Sequence, residues 1–228
     1  MAKIISYSDH MDRNSNQSSN YLIGIILVFT GLLTLIFYIG IPILIIGVIV
    51  LLSKSKKGYI FSLGIKGERE VTENLARLDN RFTVINNYRI SEKGDIDHIL
   101  IGPKGMFVIE TKNLKGTVYF IKNKFKYIKI GRKGGVYEGT SGDPVKQANY
   151  HAKQLREKLI GKVNSKNIKL FIHYIPCIVV FTRNTAITMD ESVKIPILRP
   201  SELPEYVMKL EDALNEKEQR IIEEILLN

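Results

Sequence analysis

Asp95-Ile96-Asp97-His98-Ile99-Leu100-Ile101, then Gly102-Pro103-Lys104-Gly105, then Met106-Phe107-Val108-Ile109-Glu110-Thr111-Lys112 is the stretch that decides the fold. Two runs rich in β-branched and apolar residues flank a Gly-Pro-Lys-Gly turn, which reads as a β-hairpin. A tight loop at Pro103-Lys104 opposes Ile99 to Val108, Asp97 to Glu110 and Asp95 to Lys112. Directly opposed side chains share a face of the sheet. Asp97, Glu110 and Lys112 are therefore expected on one face, with the two carboxylates side by side. Such a pair repels unless a cation compensates it.

Mg²⁺ is the natural compensation, because it takes carboxylate oxygens while keeping waters and a substrate phosphate in its shell. It can activate a bound water and neutralise charge developing on a phosphodiester, and Lys112 beside it would stabilise that charge. Glu-x-Lys alone more often marks a solvated strand face. The carboxylate pair beside Ile99 and Val108 is what asks for a reason. Strand alternation turns His98 to the opposite face, as a structural residue.

Working outward, a helix is expected to open at Gly64-Ile65-Lys66-Gly67-Glu68, with Val71, Leu75 and Leu78 as its buried stripe. Glu68 lies one turn before Val71 and points toward the sheet, whereas Glu70 faces solvent. Thr83–Ile90 reads as a strand, and Gly116–Ile121 with Phe125–Ile130 as a second hairpin. Asp143-Pro144 caps a helix running to Leu159 with the stripe Ala148, Ala152, Leu155, Leu159. His151 sits one turn after Gln147, within reach of substrate or simply at the surface. Tyr174–Phe181 is a buried strand, and two short helices close the chain. This order implies an α/β sandwich with a mixed sheet. Cys177, the single cysteine, excludes an intrachain disulfide and fits a small core side chain.

The ends of the chain differ in character. No charged residue occurs between Arg13 and Lys54, and residues 21–53 are almost wholly apolar. They are expected to form a transmembrane segment, either one long helix or a hairpin turning at Tyr38-Ile39-Gly40-Ile41-Pro42, the hairpin being preferred. Lys54, Lys56 and Lys57 follow at once, so the positive-inside rule makes this an integral membrane protein with its C-terminal domain in the cytoplasm. Residues 1–20, rich in Asn and Ser, are expected to be disordered. Residues 58–185 form the soluble domain and 186–228 a helical extension packed on it. The formal net charge is +10. In the first 53 residues Lys3 and Arg13 cancel Asp9 and Asp12, so the excess belongs to the soluble part. It suits a polyanion, either nucleic acid or an anionic lipid surface. Lys122, Lys124 and Lys126, interleaved with Phe125 and Tyr127, could form a nucleic-acid-binding strip, although lysines in solvent over inward apolar residues account for the same pattern.

Gly64-x-x-Gly67-Glu68, Asp95-Ile96-Asp97-His98, Gly105 to Asn113 with Gly116, and Asp143-Pro144-x-x-Gln147 together resemble the nuclease-related domain (NERD) family, itself similar to the PD-(D/E)XK nucleases. The resemblance implies a restriction-endonuclease-like mixed sheet flanked by helices, Mg²⁺ (or Mn²⁺) dependence and hydrolysis of DNA or RNA. It makes Asp97 and Glu110 metal ligands, Lys112 the catalytic lysine, Glu68 the helix acid and Gln147 the helix glutamine. Asp95 stands where the family often has Gln, and Asp143 where Asn is common. Both departures add negative charge near the site. The alternative is a scaffold of the same fold that binds nucleic acid or anionic lipid without turnover.

Overall fold

A computed structural model describes residues 1–6, 22–33, 40–91, 94–131, 134–166, 168, 170 and 172–227. The chain divides into two compact units, Met1–Tyr7 with Lys66–Asn228, and Ser8–Ile65.

The larger unit is built on a six-stranded sheet in the order β1-β2-β3-β4-β8-β10. Its strands are β1 (Lys3–Ser6), β2 (Thr83–Ser91), β3 (Gly94–Gly102), β4 (Gly105–Lys112), β8 (Cys177–Phe181) and β10 (Ile197–Leu198). A second sheet runs β7-β6-β5-β9, from Val136–Glu138, Lys124–Ile130, Thr117–Ile121 and Ala186–Met189. The helices are α1 (residues 22–33), α2 (Gly40–Leu75), α3 (Pro144–Ser165), α4 (Leu203–Met208) and α5 (Glu216–Leu227). The mixed α/β architecture expected from the sequence is present.

Two apolar layers cover the main sheet. Val71 and Leu75 at the end of α2, Leu78 just beyond it, and Leu203 and Val207 of α4 pack with Val84, Leu100, Phe107 and Ile109 on one face. Ala148, Ala152, Leu155 and Leu159 of α3 and Ile222 and Ile225 of α5 pack with Ile85, Ile99, Val108 and Val179 on the other. Near-continuous apolar strands follow from burial on both faces. Asp143 caps α3 by accepting the amide hydrogens of Val145 and Lys146, with Pro144 opening the helix.

The β3–β4 register is the one the turn dictates, with Ile99 opposite Val108, but the ladder ends at His98–Ile109. One level further on, Asn87 of β2 adopts φ +53° between the pairs Asn86–His98 and Tyr88–Ile96. The side-chain alternation slips there. Ile85 and Tyr88, and likewise Ile99 and Ile96, lie three residues apart yet face the same core. Asp97 sits at this irregularity.

Several expectations are corrected. Lys3–Ser6 is not disordered but a strand parallel to β2, with Lys3 opposite Thr83 and Ser6 opposite Asn86. The rest of the expected disordered start, residues 7–20, lies outside the described residues. No helix starts at Gly64, because α2 is continuous from Gly40 to Leu75. The segment 186–228 is not purely helical. Ala186–Met189 extends the second sheet beside β5 and Ile197–Leu198 the main sheet beside β8. Asp95 does not oppose Lys112, since β3 has left β4 by that point and Asp95 pairs with Arg89 of β2.

In the smaller unit, α1 and the first turns of α2 fold against each other. A Cβ on Gly24 would stand 2.7 Å from Leu51 Cδ2, and one on Gly47 would stand 3.0 Å from Val28 Cγ2. Contacts 24 to 51 and 28 to 47 define an antiparallel pair, the hairpin rather than one straight rod. Leu22, Ile25, Phe29, Ile45 and Ile49 are exposed. Thr30 returns its hydroxyl to the carbonyl of Ile26. Of the turn expected at Tyr38 to Pro42, Tyr38 and Ile39 lie outside the described residues, whereas Gly40, Ile41 and Pro42 open α2. Among the described residues no helix is long and apolar enough to cross a membrane.

Candidate active site

Where β3 and β4 part, the Asp97 side chain takes over from the backbone. Its Oδ2 accepts the Thr111 amide hydrogen at 2.7 Å, capping the ladder that His98–Ile109 ends. The notch so formed has Glu110 on its floor, only 3% exposed. Glu110 Oε1 accepts from Lys112 Nζ at 2.7 Å, so the Glu-x-Lys pair shares one strand face as its spacing requires. Asp97, Glu110 and Lys112 are thus brought together.

Two helices contribute further groups. Glu68, on the last turns of α2, is close enough that its charge acts on Asp97. On α3, His151 is almost covered and its Nδ1 lies 3.4 Å from Glu110 Oε2. Gln147 is one turn earlier, with its Oε1 buried and unpartnered. By sequence alone His151 fits either the site or the surface. The only signal available was its position four residues after Gln147, on the same helix face.

The electrostatics identify a site short of positive charge. Burial, then the charges of Glu110 and Glu68, push the Asp97 carboxyl well above its ordinary pKa, despite the Thr111 amide and Lys112. Burial also acts to raise Glu110, but His151 and Lys112 outweigh it and hold that carboxyl below the ordinary range. Glu110 Oε2 is buried and makes no well-formed hydrogen bond. Among the described residues no cluster of three or more His, Cys, Asp and Glu side chains is assembled to hold a metal. Two carboxylates completed by waters and phosphate are nevertheless an ordinary Mg²⁺ arrangement. The raised Asp97 and the unused Glu110 oxygen fit such an ion.

His98 lies on the opposite face, 1% exposed, between Asn86 Oδ1 at 2.8 Å and Thr111 Oγ1 at 3.1 Å. Burial lowers its pKa to about 3, so it is a neutral hydrogen-bonding strut. Its grip on Thr111 steadies the residue whose amide holds Asp97. Cys177 is buried against the Ala148 carbonyl and its thiol is pushed up to about 12, as suits a core side chain.

The remaining predicted groups are placed elsewhere. The Asp143 carboxylate is occupied in capping α3, so its charge is absorbed by the helix end rather than added to the notch. Lys122, Lys124 and Lys126 are exposed on the β5–β6 hairpin of the second sheet, not on the sheet that carries Glu110. Lys126 faces Glu138 at 3.7 Å. Lys124 lines a cleft of about 320 Å³ with Lys146 and Lys194. Glu70 was expected in solvent. It lines a larger cleft with Arg77, Arg183 and Arg199.

Comparison with known proteins agrees with the geometry. Residues 63–182 match the nuclease-related domain family. An uncharacterised protein of Bacillus anthracis is 43% identical over 61 residues, which is 25% of this chain and 29% of that relative. No solved structure matches the chain. The family match covers more than half of the sequence and runs from the end of α2 through the Asp97–Glu110–Lys112 notch to the residue after β8, and the chain belongs to the nuclease-related domain family.

Proposed function

We propose that this protein is a metal-dependent nuclease that hydrolyses phosphodiester bonds of DNA or RNA. The observation that carries the reading is the Asp97–Glu110–Lys112 notch, where a carboxylate raised by burial and by its acidic neighbours sits beside a buried carboxylate and an ammonium. Asp97 and Glu110 would hold Mg²⁺ or Mn²⁺, which when bound supplies an activated water and neutralises phosphate charge. The chain's own groups do the rest. The Thr111 amide fixes the Asp97 carboxylate, and His151 at 3.4 Å orients Glu110. Lys112 Nζ, 2.7 Å from Glu110 Oε1, stands where it stabilises negative charge gathering on the phosphate oxygens. Glu68 adds a further carboxylate, and Gln147 offers a buried carbonyl oxygen to a water or to substrate.

The same reading has the domain tethered to a lipid bilayer by residues 21–53 and facing the cytoplasm. It is supported by the uncharged run from Asn14 to Ser53, the exposed apolar side chains of the hairpin and the lysines that follow.

The test is cleavage by the full chain in detergent micelles, using labelled single- and double-stranded DNA and RNA with Mg²⁺, Mn²⁺ or EDTA. Cleavage of at least one substrate with metal, and none with EDTA, is expected. Lys112→Ala should retain metal and nucleic-acid binding while losing about 10²–10³ in kcat. No cleavage of any substrate with either metal, or a Lys112→Ala variant as fast as wild type, overturns the reading.

A further inference from the structure

Beyond the end of β8 the chain lines a cleft of about 670 Å³ whose charge is one-sided. Arg77 of the turn after α2, Arg183 of the loop after β8 and Arg199 before α4 face it, with Glu70 as the one acidic residue among the described lining. The three arginines have different tasks. Arg199 is structural: its Nη1 donates to the carbonyls of Phe181 and Arg183, and its Nη2 to that of Thr185. This guanidinium pins the 181–185 loop with its charge still uncompensated. Arg77 and Arg183 make no ion pair among the described residues.

The cleft adjoins the notch. Thr182, on its wall, donates its amide hydrogen to the Lys112 carbonyl at 3.1 Å, and Glu70 is two residues beyond Glu68. Thr182 Oγ1 is buried there without a hydrogen-bond partner. Asn184 and Ser201 add neutral donors to the lining. Guanidinium forks among hydroxyl and amide donors, at the carboxyl ends of β4 and β8, suit a phosphate group better than a carboxylate side chain.

We propose that this cleft binds a backbone phosphate of the nucleic-acid strand, flanking the bond cut at the Lys112 notch, with Arg77 and Arg183 as its ligands. The assignment rests on the nuclease reading and adds where the strand runs: from the notch across Thr182 toward α4, rather than over the Lys122–Lys126 hairpin. Its net charge of three arginines against one glutamate also accounts for part of the basic excess of the soluble domain.

The test is fluorescence anisotropy of short labelled oligonucleotides on the full chain in micelles, with EDTA present so that nothing is cut. Wild type is compared with Arg77→Gln, Arg183→Gln, the double variant, and Lys217→Gln on α5 as an equal charge loss elsewhere. Each arginine change is expected to weaken binding roughly tenfold. Each should also lower the slope of log K against log salt by about 0.7–0.9, while Lys217→Gln leaves both unchanged. Arg77 is exposed in the turn after α2, so its variant reports even if Arg183→Gln melts early. A double variant with wild-type affinity and slope overturns the assignment while leaving the nuclease reading intact. If both variants lose polyglutamate binding as much as oligonucleotide binding, the cleft is a dock for acidic protein and the assignment also falls. A wild type that binds no nucleic acid removes the assignment together with the nuclease reading.

Discussion

Asp97 carries a conflict that one substitution resolves. Its folded pKa is raised, so at neutral pH the ionised form weakens the fold in the absence of a cation. Asp97→Asn keeps an oxygen for the Thr111 amide and removes the charge. The metal-free variant should melt higher than wild type, by roughly 2–4 °C per kcal/mol recovered, and should bind Mn²⁺ far more weakly by calorimetry. Unchanged metal affinity in a folded variant would move the ion away from Asp97. His98 gives the opposite pH signature. It stays neutral in the fold down to about pH 3, whereas the unfolded chain protonates it below about 6.5. This contribution to stability is full above pH 6.5 and is lost on acidification, at up to about 1.4 kcal/mol per pH unit until pH 3. Melting curves from pH 7 to 4 should flatten in His98→Gln relative to wild type, and identical slopes would show that His98 takes no part.

At the scale of elements, Gly67 seats the end of α2 against the strand ends. A Cβ there would stand 2.9 Å from Thr182 Oγ1 and 3.0 Å from Asn113 Cβ. Gly67→Ala gains about 1 kcal/mol of helix propensity but must push that wall aside. A small change in Tm with a kcat loss of about tenfold or more is expected, because Glu68 and Thr182 move together. Wild-type kcat would show that the wall gives way harmlessly. The β3–β4 hairpin, the α3 cap and the Glu-x-Lys face were legible in the sequence because turn chemistry and strand period are local. The strands β1, β9 and β10 were not, since Lys3–Ser6 and Ala186–Met189 pair with partners distant in the chain and lack strong alternation of their own. Nor was the slip at Asn87, which is what hands Asp97 to the Thr111 amide. A chain starting at residue 58 lacks β1 and bares the edge of β2. It should melt lower and self-associate by light scattering, and a monomer of unchanged Tm would make β1 an ornament.

For the whole molecule, β1 bears on an ambiguity that hydropathy leaves open. The chain leaves the larger unit after Tyr7 and re-enters it at Lys66, so both flanks of the apolar hairpin belong to one folded body. If that hairpin sits in a bilayer, its flanks lie on the same side. Single cysteines at Ser18 and Lys217 should both resist an impermeant maleimide in intact cells and both react after permeabilisation, with buried Cys177 giving little background. Labelling of Ser18→Cys alone from outside would mean an odd number of crossings. The pairing also sets an order of events during synthesis. Lys3 and its partner Thr83 are eighty residues apart, and the whole greasy hairpin is translated between them. The ribosome delivers that hairpin before β2 exists, so the first strand waits unpaired until its partner residues 83–86 have been made. If that hairpin enters a bilayer, a failure of insertion would be felt at the far edge of the main sheet, as a strand whose return is delayed.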